Sequence, residues 1–179
     1  MSLTPIQDIT LALLRSHRSR RSWVAGSAVL HHLLPRSPGD LDLHHPDARA
    51  ACAAIRADLV TLLDHGFALA GSAWLETERW ARFRHGKGAV VLNWVVPATS
   101  KHPAPRWHPD FGYAITVEQA IADKAVTACE SGRRKDLDDL AAVLRSGARL
   151  PGDLRRRLQS IIETCRAPAA SADLGRVRP

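Results

Sequence analysis

The segment Gly39-Asp40-Leu41-Asp42-Leu43 carries two aspartates at a spacing that suits a divalent metal ion. Alternate side chains of an extended strand point to opposite faces, so both carboxylates would emerge on one face while both leucines enter the core. Mg²⁺ takes one or two carboxylates and completes its shell with water and substrate phosphates. A metal held by Asp40 and Asp42 could orient a triphosphate and stabilise an in-line displacement at phosphorus. The alternative is an ordinary solvated strand end.

The segment Val24-Ala25-Gly26-Ser27, which twelve intervening residues separate from Asp40, predicts a phosphate cradle. Because Gly26 has no Cβ, a phosphate could approach its backbone closely. A helix predicted at residues 28–34 would add unpaired N–H groups and a positive dipole end. Ser27 would add a hydroxyl donor. A Gly-Ser turn alone is common, but here the predicted order of strand, turn, helix and strand brings it together with the two aspartates.

Together the two segments resemble the signature of polymerase-β-like nucleotidyltransferases, in which Gly-Gly or Gly-Ser precedes an Asp-x-Asp or Asp-x-Glu pair. Residues 25–30, 36–37 and 40–43 are more closely similar to the AbiEii/MenT nucleotidyltransferase toxins, whose members show Gly-Gly-x-Ala-Leu, Arg-x-Ser and Asp-Leu-Asp-Leu. By its residue type alone, Arg36 could pair with phosphate or with the carboxylates, or be a solvated loop arginine. The resemblance implies nucleotide contacts from Gly26, Ser27, Arg36 and Ser37.

A second block of similarity spans residues 116–125 and 134–140, which resemble that family's Ala-Asp-Lys-x-x-Ala and Arg-Asp-x-x-Asp-Leu segments. The whole resemblance covers roughly residues 20–145. Lys124 interrupts an apolar helix face, where it could serve as a point charge for a triphosphate or be a surface lysine.

Asp136 and Asp139 lie on one side of a predicted helix. One of them could accept a proton from an attacking hydroxyl, or hold Lys124 or Arg133 in place. Asp139 is the favoured functional acid, because the helix dipole alone explains an acid at the position of Asp136.

A third acid is expected on a neighbouring strand of a polymerase-β-like site. The matching strand, residues 90–96, offers Asn93 instead. An amide can ligate a metal through its carbonyl oxygen, but it brings no charge and cannot act as a base. Glu76 and Glu78 are weaker substitutes. The site could therefore rest on Asp40, Asp42 and a helical aspartate, use altered chemistry, or bind nucleotides without turnover.

The resemblance implies an α+β fold of the polymerase-β-like nucleotidyltransferase type, with a small mixed sheet flanked by helices and a helical C-terminal segment. It implies a Mg²⁺-dependent enzyme that moves a nucleotidyl group from an NTP to an acceptor hydroxyl of RNA, at the tRNA 3′ end. The implied role is that of a toxin neutralised by a partner antitoxin. Alternatives are a catalytically weak or inactive nucleotide- or RNA-binding module, and a nucleotidyltransferase acting on a small molecule or protein. The implied catalytic residues are Asp40, Asp42, Lys124 and Asp139.

Apolar periodicity and turn residues predict the elements that must position these side chains. Helices are expected at residues 4–16, 47–66, 117–129, 135–144 and 151–165, with one or two helical turns at residues 28–34 closed by Pro35. Strands are expected at residues 23–25, 40–44, 67–74, 77–84 and 89–96. Residues 97–112 are expected to form a long loop. The expected division is a core of residues 1–115, a helical segment of residues 116–166 that carries Lys124 and Asp139, and a disordered tail of residues 167–179.

The net charge of +7 in a chain of 179 residues favours a polyanionic partner such as RNA, DNA or an NTP, or an arginine-rich solvated surface. The basic and aromatic residues 101–108 could stack on or grip a nucleic acid, or simply link the sheet to the helices. The sequence has no P-loop, no G-x-S-x-G elbow and no Cys/His finger spacing. Three widely spaced cysteines and the lack of a long apolar run predict a cytoplasmic protein without a membrane partner.

Overall fold

The computed structural model of the chain describes residues 2–75, 78–86, 88–97 and 104–166. Glu76, Lys101 and the predicted tail at residues 167–179 lie outside these ranges. The chain divides into two compact units, the first reaching Asp123 and the second starting at Lys124. No helix within the described ranges is both long enough and apolar enough to cross a membrane.

The described residues form five α-helices, seven β-strands and two short 3-10 turns, the turns at Arg15–His17 and Gly26–Ala28. The helices are α1 (Pro5–Leu14), α2 (Ala48–Asp64), α3 (Val117–Ser131), α4 (Arg134–Arg145) and α5 (Gly152–Arg166). The strands are β1 (Trp23–Ala25), β2 (Leu41–His44), β3 (Ala68–Trp74), β4 (Glu78–His85), β5 (Gly88–Val95), β6 (Arg106–His108) and β7 (Gly112–Ala114).

Within the described part of the first unit, the strands form one mixed sheet in the order β3-β4-β5-β2-β1-β7-β6. Strand β2 runs parallel to β5 and antiparallel to β1, and β1 runs parallel to β7. Strand β2 therefore lies in the interior of the sheet, and its alternating pattern buries Leu41 and Leu43 while Asp42 stays half-buried. The expected mixed sheet flanked by helices is confirmed.

The helix starts follow local capping rules. Thr4 and Gln7 form a capping box at the start of α1, in which the Gln7 side chain accepts the Thr4 N–H at 2.9 Å. The Asp47 carboxylate accepts the Ala50 N–H at 2.7 Å and caps α2. Both helices begin where the sequence predicts them.

Two segments differ in detail from what the sequence predicts. The turns expected at residues 28–34 are present, but they continue the Gly26–Ala28 3-10 turn with bonds that reach back three residues, from Leu30 N to Ser27 O (3.1 Å) and from Leu33 N to Leu30 O (2.8 Å), and they form no α-helix. Pro35 disfavours helical geometry in the residue before it, which leaves the segment too short for an α-helix. The expected loop at residues 97–112 contains the β6–β7 hairpin, whose second strand pairs with β1.

A buried carboxylate joins three parts of the first unit. Asp58 of α2 accepts hydrogen bonds from His17 Nδ1 (2.8 Å), from Trp94 Nε1 of β5 (2.8 Å) and from the Arg18 guanidinium. Burial by itself would raise the pKa of Asp58, but these donors and the Arg18 charge outweigh it and hold the pKa below its ordinary value. The bonds fix α2 and β5 against the turn that precedes β1.

Candidate active site

Two carboxylates of the first unit converge on one amide nitrogen. Asp42 lies in β2 and Asp40 immediately precedes that strand. Asn93 Nδ2 donates to Asp40 Oδ2 at 3.0 Å and to Asp42 Oδ1 at 3.1 Å. The structure therefore brings the predicted metal ligands together.

Sheet register explains why Asn93 reaches both aspartates. In the parallel pairing of β2 with β5, Asp42 lies opposite Asn93, while Leu41 lies opposite Leu92 on the buried face. The amide is almost fully buried, with 7% of Asn93 exposed. Asn93 thus lies beside the aspartates, on the strand where the resemblance to polymerase-β-like sites predicts a third acid.

Gly26 lies directly against Asp42. In the antiparallel pairing of β1 with β2, Ala25 is opposite Asp42, and the next residue is Gly26 with φ of 65°. A Cβ at position 26 would come within 2.0 Å of Asp42 Oδ2. The sequence predicts that Gly26 admits a phosphate, and the structure shows that its missing Cβ makes room for the Asp42 carboxylate.

The loop that leads into Asp40 is tied to the start of α1. Ser37 Oγ donates to the Ser2 carbonyl oxygen at 2.9 Å, and the buried Gln7 donates through Nε2 to the Pro38 carbonyl oxygen at 2.7 Å. Arg36 Nη1 donates to the Ser37 carbonyl oxygen at 3.2 Å. Sequence reasoning missed Gln7, whose capping box signals the helix start but not the contact with the loop.

The other predicted site residues lie in the second unit and form a buried ion-pair cluster. Lys124 Nζ of α3 lies 2.7 Å from Asp136 Oδ1 and 2.9 Å from Asp139 Oδ2 of α4. All three side chains are less than one-tenth exposed. Of the roles that the sequence left open for the two acids, this geometry matches the one in which they hold Lys124 in place.

The oxygen pair fits Mg²⁺ better than it fits a transition metal. No group of three or more His, Cys, Asp and Glu side chains is gathered for a metal anywhere in the described ranges. Asp40 and Asp42 both accept hydrogen bonds from the same nitrogen, so the space between them already favours a positive group. Two carboxylates, with water and phosphate oxygens completing the shell, are a usual Mg²⁺ ligand set. The Asn93 carbonyl could supply a further oxygen if its amide turned.

Two solved structures share the fold over most of their length. A candidate nucleotidyltransferase from H. pylori is 15% identical with a TM-score of 0.58, and the alignment covers 92% of this chain and 82% of that one. JHP933 from Helicobacter pylori is 17% identical with a TM-score of 0.58, covering 89% and 75% of the two chains. No protein-family model and no curated protein matches the sequence. The expected nucleotidyltransferase fold is confirmed.

Proposed function

We propose that this chain is a cytoplasmic, Mg²⁺-dependent nucleotidyltransferase that moves a nucleotidyl group from an NTP to an acceptor hydroxyl. The observation that carries the proposal is the convergence of Asp40 and Asp42 beside Gly26, in a chain with a nucleotidyltransferase fold. The pair offers only oxygen ligands and lies at the start of β2, an interior strand of the sheet, which suits a metal–triphosphate group.

In the proposed reaction, the acceptor oxygen attacks the α-phosphorus, the bond to the pyrophosphate oxygen breaks, and the hydroxyl proton is released. Asp40 and Asp42 would hold the metal, which would supply positive charge to neutralise and orient the phosphate oxygens. Asn93 keeps the two carboxylates together and, as a neutral amide, cannot take the proton. Gly26 leaves the space that Asp42 needs.

The roles of Lys124 and Asp139 stay predictions. Resemblance to the AbiEii/MenT motifs supports triphosphate binding by Lys124 and acceptor activation by Asp139. The cluster of Lys124 with two aspartates supports a positioning role for these acids, because two buried carboxylates fix one ammonium group.

The proposed acceptor is RNA, at the tRNA 3′ end, and the proposed biological role is that of a toxin held inactive by an antitoxin. Support comes from the motif resemblance and from the net charge of +7, which suits a polyanionic acceptor. Gly26, Ser27, Arg36 and Ser37 stay the predicted nucleotide contacts.

The test is to incubate the full chain with each labelled NTP, Mg²⁺ and total tRNA. Label is expected on tRNA, and it is expected to fall on the order of a hundredfold or more in Asp42→Asn, because a principal electrostatic contact to the reacting group is lost. EDTA should abolish the transfer. Asp64→Asn, which removes the same charge from an exposed position at the end of α2, is the matched control and should retain activity.

A second candidate function is nucleotide binding without turnover, which the neutral Asn93 favours. Mg²⁺-dependent NTP binding without label transfer to any acceptor would sink the first proposal and support this one. If label appears on a small molecule or a protein instead of tRNA, the nucleotidyltransferase activity stands and the proposed acceptor is wrong.

A further inference from the structure

The first unit holds a cavity that is lined by aromatic rings, aliphatic side chains and one arginine. Its volume is about 250 Å³. It is formed where the segment after the Gly26–Ala28 turn meets the β6–β7 hairpin and the start of α3. Among the described residues that line it, none is acidic, and those that carry its chemistry are His31, His32, Arg106, Trp107, His108 and Phe111.

The inner part of the cavity is an ordered aromatic cluster. His108 stacks on Phe111 with ring centroids 4.4 Å apart and planes 14° apart, and His31 meets Phe111 edge-on at 6.0 Å. His31 Nδ1 donates to the Ala28 carbonyl oxygen at 2.8 Å, so Nε2 is the His31 nitrogen that can meet a ligand. These contacts hold the rings in place before any ligand binds.

The outer part is exposed to solvent. Trp107 is 66% exposed, and Arg106, its neighbour in sequence, is exposed as well. Both lie on β6, the last strand of the sheet, where successive side chains point to opposite faces. A nucleic-acid strand that passes over this edge strand could stack a base on the indole ring and pair a phosphate with the guanidinium group.

The positive character of the cavity affects its own histidines. Burial lowers the pKa of His32, and the charges of His31 and His108 lower it further. His32 is therefore neutral at neutral pH, and the Asp110 carboxylate lies 3.9 Å from His108 Nδ1. The permanent positive charge of the lining comes from Arg106, which favours a ligand that carries phosphate.

Strand register places this cavity at the same end of the strands as the aspartates. Strands β1 and β7 are parallel with Val24 opposite Ala114, and Ala25 lies opposite Asp42. The end of β7, which lines the cavity, is therefore two strands away from Asp42, and β6 with Trp107 and Arg106 is three strands away, about 14 Å at the usual strand spacing. A strand of about two nucleotides spans that distance, at roughly 6–7 Å for each extended nucleotide.

We propose that this cavity binds the single-stranded end of a nucleic acid, with a base stacked on Trp107 and a phosphate held by Arg106. A polynucleotide fits better than a free nucleotide, because sites for small ligands enclose most of the ligand surface whereas Trp107 faces solvent. The assignment of the bound strand as the acceptor rests on the proposed function, but the binding itself requires neither metal nor turnover.

The test measures fluorescence anisotropy of a 5′-labelled single-stranded RNA oligonucleotide with the full chain in EDTA and without NTP. Trp107→Ala should weaken binding at least about fivefold, as expected for loss of one base stack. Trp107→Phe should restore part of the affinity, and Arg106→Gln should weaken binding and reduce its salt dependence. Thermal melting of each variant shows that folding is intact.

The matched control is Trp74→Ala, which removes an indole that is 61% exposed at the opposite edge strand, with the Arg79 guanidinium 5.9 Å from its ring centroid. It should change the affinity less than twofold. Equal losses in Trp74→Ala and Trp107→Ala, or no loss in Trp107→Ala, would overturn the proposal. Displacement of the oligonucleotide by free ATP at equal nucleotide concentration would also overturn it, since the cavity would then be a mononucleotide site.

Two further arms complete the test. Asp42→Asn should retain wild-type affinity for the oligonucleotide. If the wild-type chain binds the oligonucleotide but transfers no label to any acceptor, the proposed function is contradicted and this inference stands. If transfer survives Trp107→Ala with an unchanged KM for RNA, this inference is contradicted and the proposed function stands. DNA of the same sequence shows whether the strand is recognised as RNA or by base and phosphate alone.

Discussion

The place of the Asp42 carboxylate depends on the absence of a side chain at residue 26. Gly26 has φ of 65°, and a Cβ there would lie 2.0 Å from Asp42 Oδ2. A side chain at position 26 would thus act in two ways, by straining the backbone and by pushing the carboxylate away from Asn93. The two effects can be separated by experiment.

We expect Gly26→Ala to abolish Mg²⁺-dependent NTP binding and transfer while it destabilises the chain by roughly 1–2 kcal/mol from the positive φ alone. The matched control is Gly132→Ala, which has φ of 61° and no atom within 4 Å of the added Cβ. It should show the strain without the loss of nucleotide binding. Isothermal titration and urea denaturation of both variants measure the two quantities. Equal nucleotide affinity in the two variants would contradict the role given to Gly26.

Asn93 sets the balance between the metal-free and metal-bound states of the same site. Replacing it with aspartate removes a donor that both carboxylates share and adds a third negative charge. We expect Asn93→Asp to be less stable than the wild type in EDTA by about 1–3 kcal/mol. The variant should gain more stability from added Mg²⁺, because the metal then binds three carboxylates in the folded state. Thermal melting with and without Mg²⁺ measures both changes.

Asn93→Ala is the control for this prediction, since it removes the hydrogen bonds without adding charge. It should lose stability in EDTA and show no larger response to Mg²⁺ than the wild type. A Mg²⁺ response of Asn93→Asp no greater than that of Asn93→Ala would argue against a metal site at Asp40 and Asp42.

At the scale of elements, Asp58 determines how α2, β5 and the Arg15–His17 turn fit together. Removing this carboxylate leaves the Arg18 side chain, which is 1% exposed, charged and without its partner. We expect Asp58→Ala to lower the free energy of unfolding by about 3–5 kcal/mol. Urea denaturation followed by tryptophan fluorescence measures it.

An exposed ion pair in the same unit provides the comparison. Arg21 pairs with Asp47, with 66% and 46% of their side chains exposed. Arg21→Ala should change the free energy of unfolding by less than about 1 kcal/mol, because water screens the pair. Similar losses of unfolding free energy in Arg21→Ala and Asp58→Ala would show that the hydrogen bonds to Asp58 do not hold these elements together.

For the whole molecule, a buried histidine makes stability depend on pH. Burial, and after it the Arg18 charge, lower the pKa of His45 from 6.5 to about 4 in the folded chain. Between those values the unfolded chain binds a proton that the folded chain does not, so acidification favours unfolding. We expect the contribution of His45 to the free energy of unfolding to be constant above pH 6.5. Between pH 6.5 and pH 4 that free energy should fall by about 3 kcal/mol.

His45→Gln tests this expectation, since it removes the titrating group and retains a donor for the Arg21 carbonyl oxygen that His45 Nδ1 contacts at 3.4 Å. The difference in unfolding free energy between pH 7 and pH 4.5 should shrink in the variant. The lowered pKa of Asp58 acts in the same direction but only below its ordinary value of 3.8. If the pH dependence of the unfolding free energy is unchanged in His45→Gln, His45 is not the group that causes it.

Several features of the fold could be predicted because their causes are local. The alternation of Asp40, Leu41, Asp42 and Leu43 determines which side chains enter the core, and β2 follows it. Capping residues mark where α1 and α2 begin. The type of the turns at residues 28–34 could not be predicted, because buried apolar side chains such as Val29, Leu30 and Leu34 indicate contact with a core but do not distinguish a 3-10 turn from an α-helical one.

The sequence by itself determined that Asp40 and Asp42 share one face of a strand and that a Cβ-free residue precedes them, since both facts follow from covalent order and the strand repeat. Only the tertiary structure decided that Asn93, more than fifty residues away, donates to both carboxylates, and that Gly26 leaves room for Asp42. It also decided that the β6–β7 hairpin joins β1 and forms the cavity with Trp107. These contacts depend on which strands pair and in what register, and hydrophobic burial summed over the whole sheet selects that pairing.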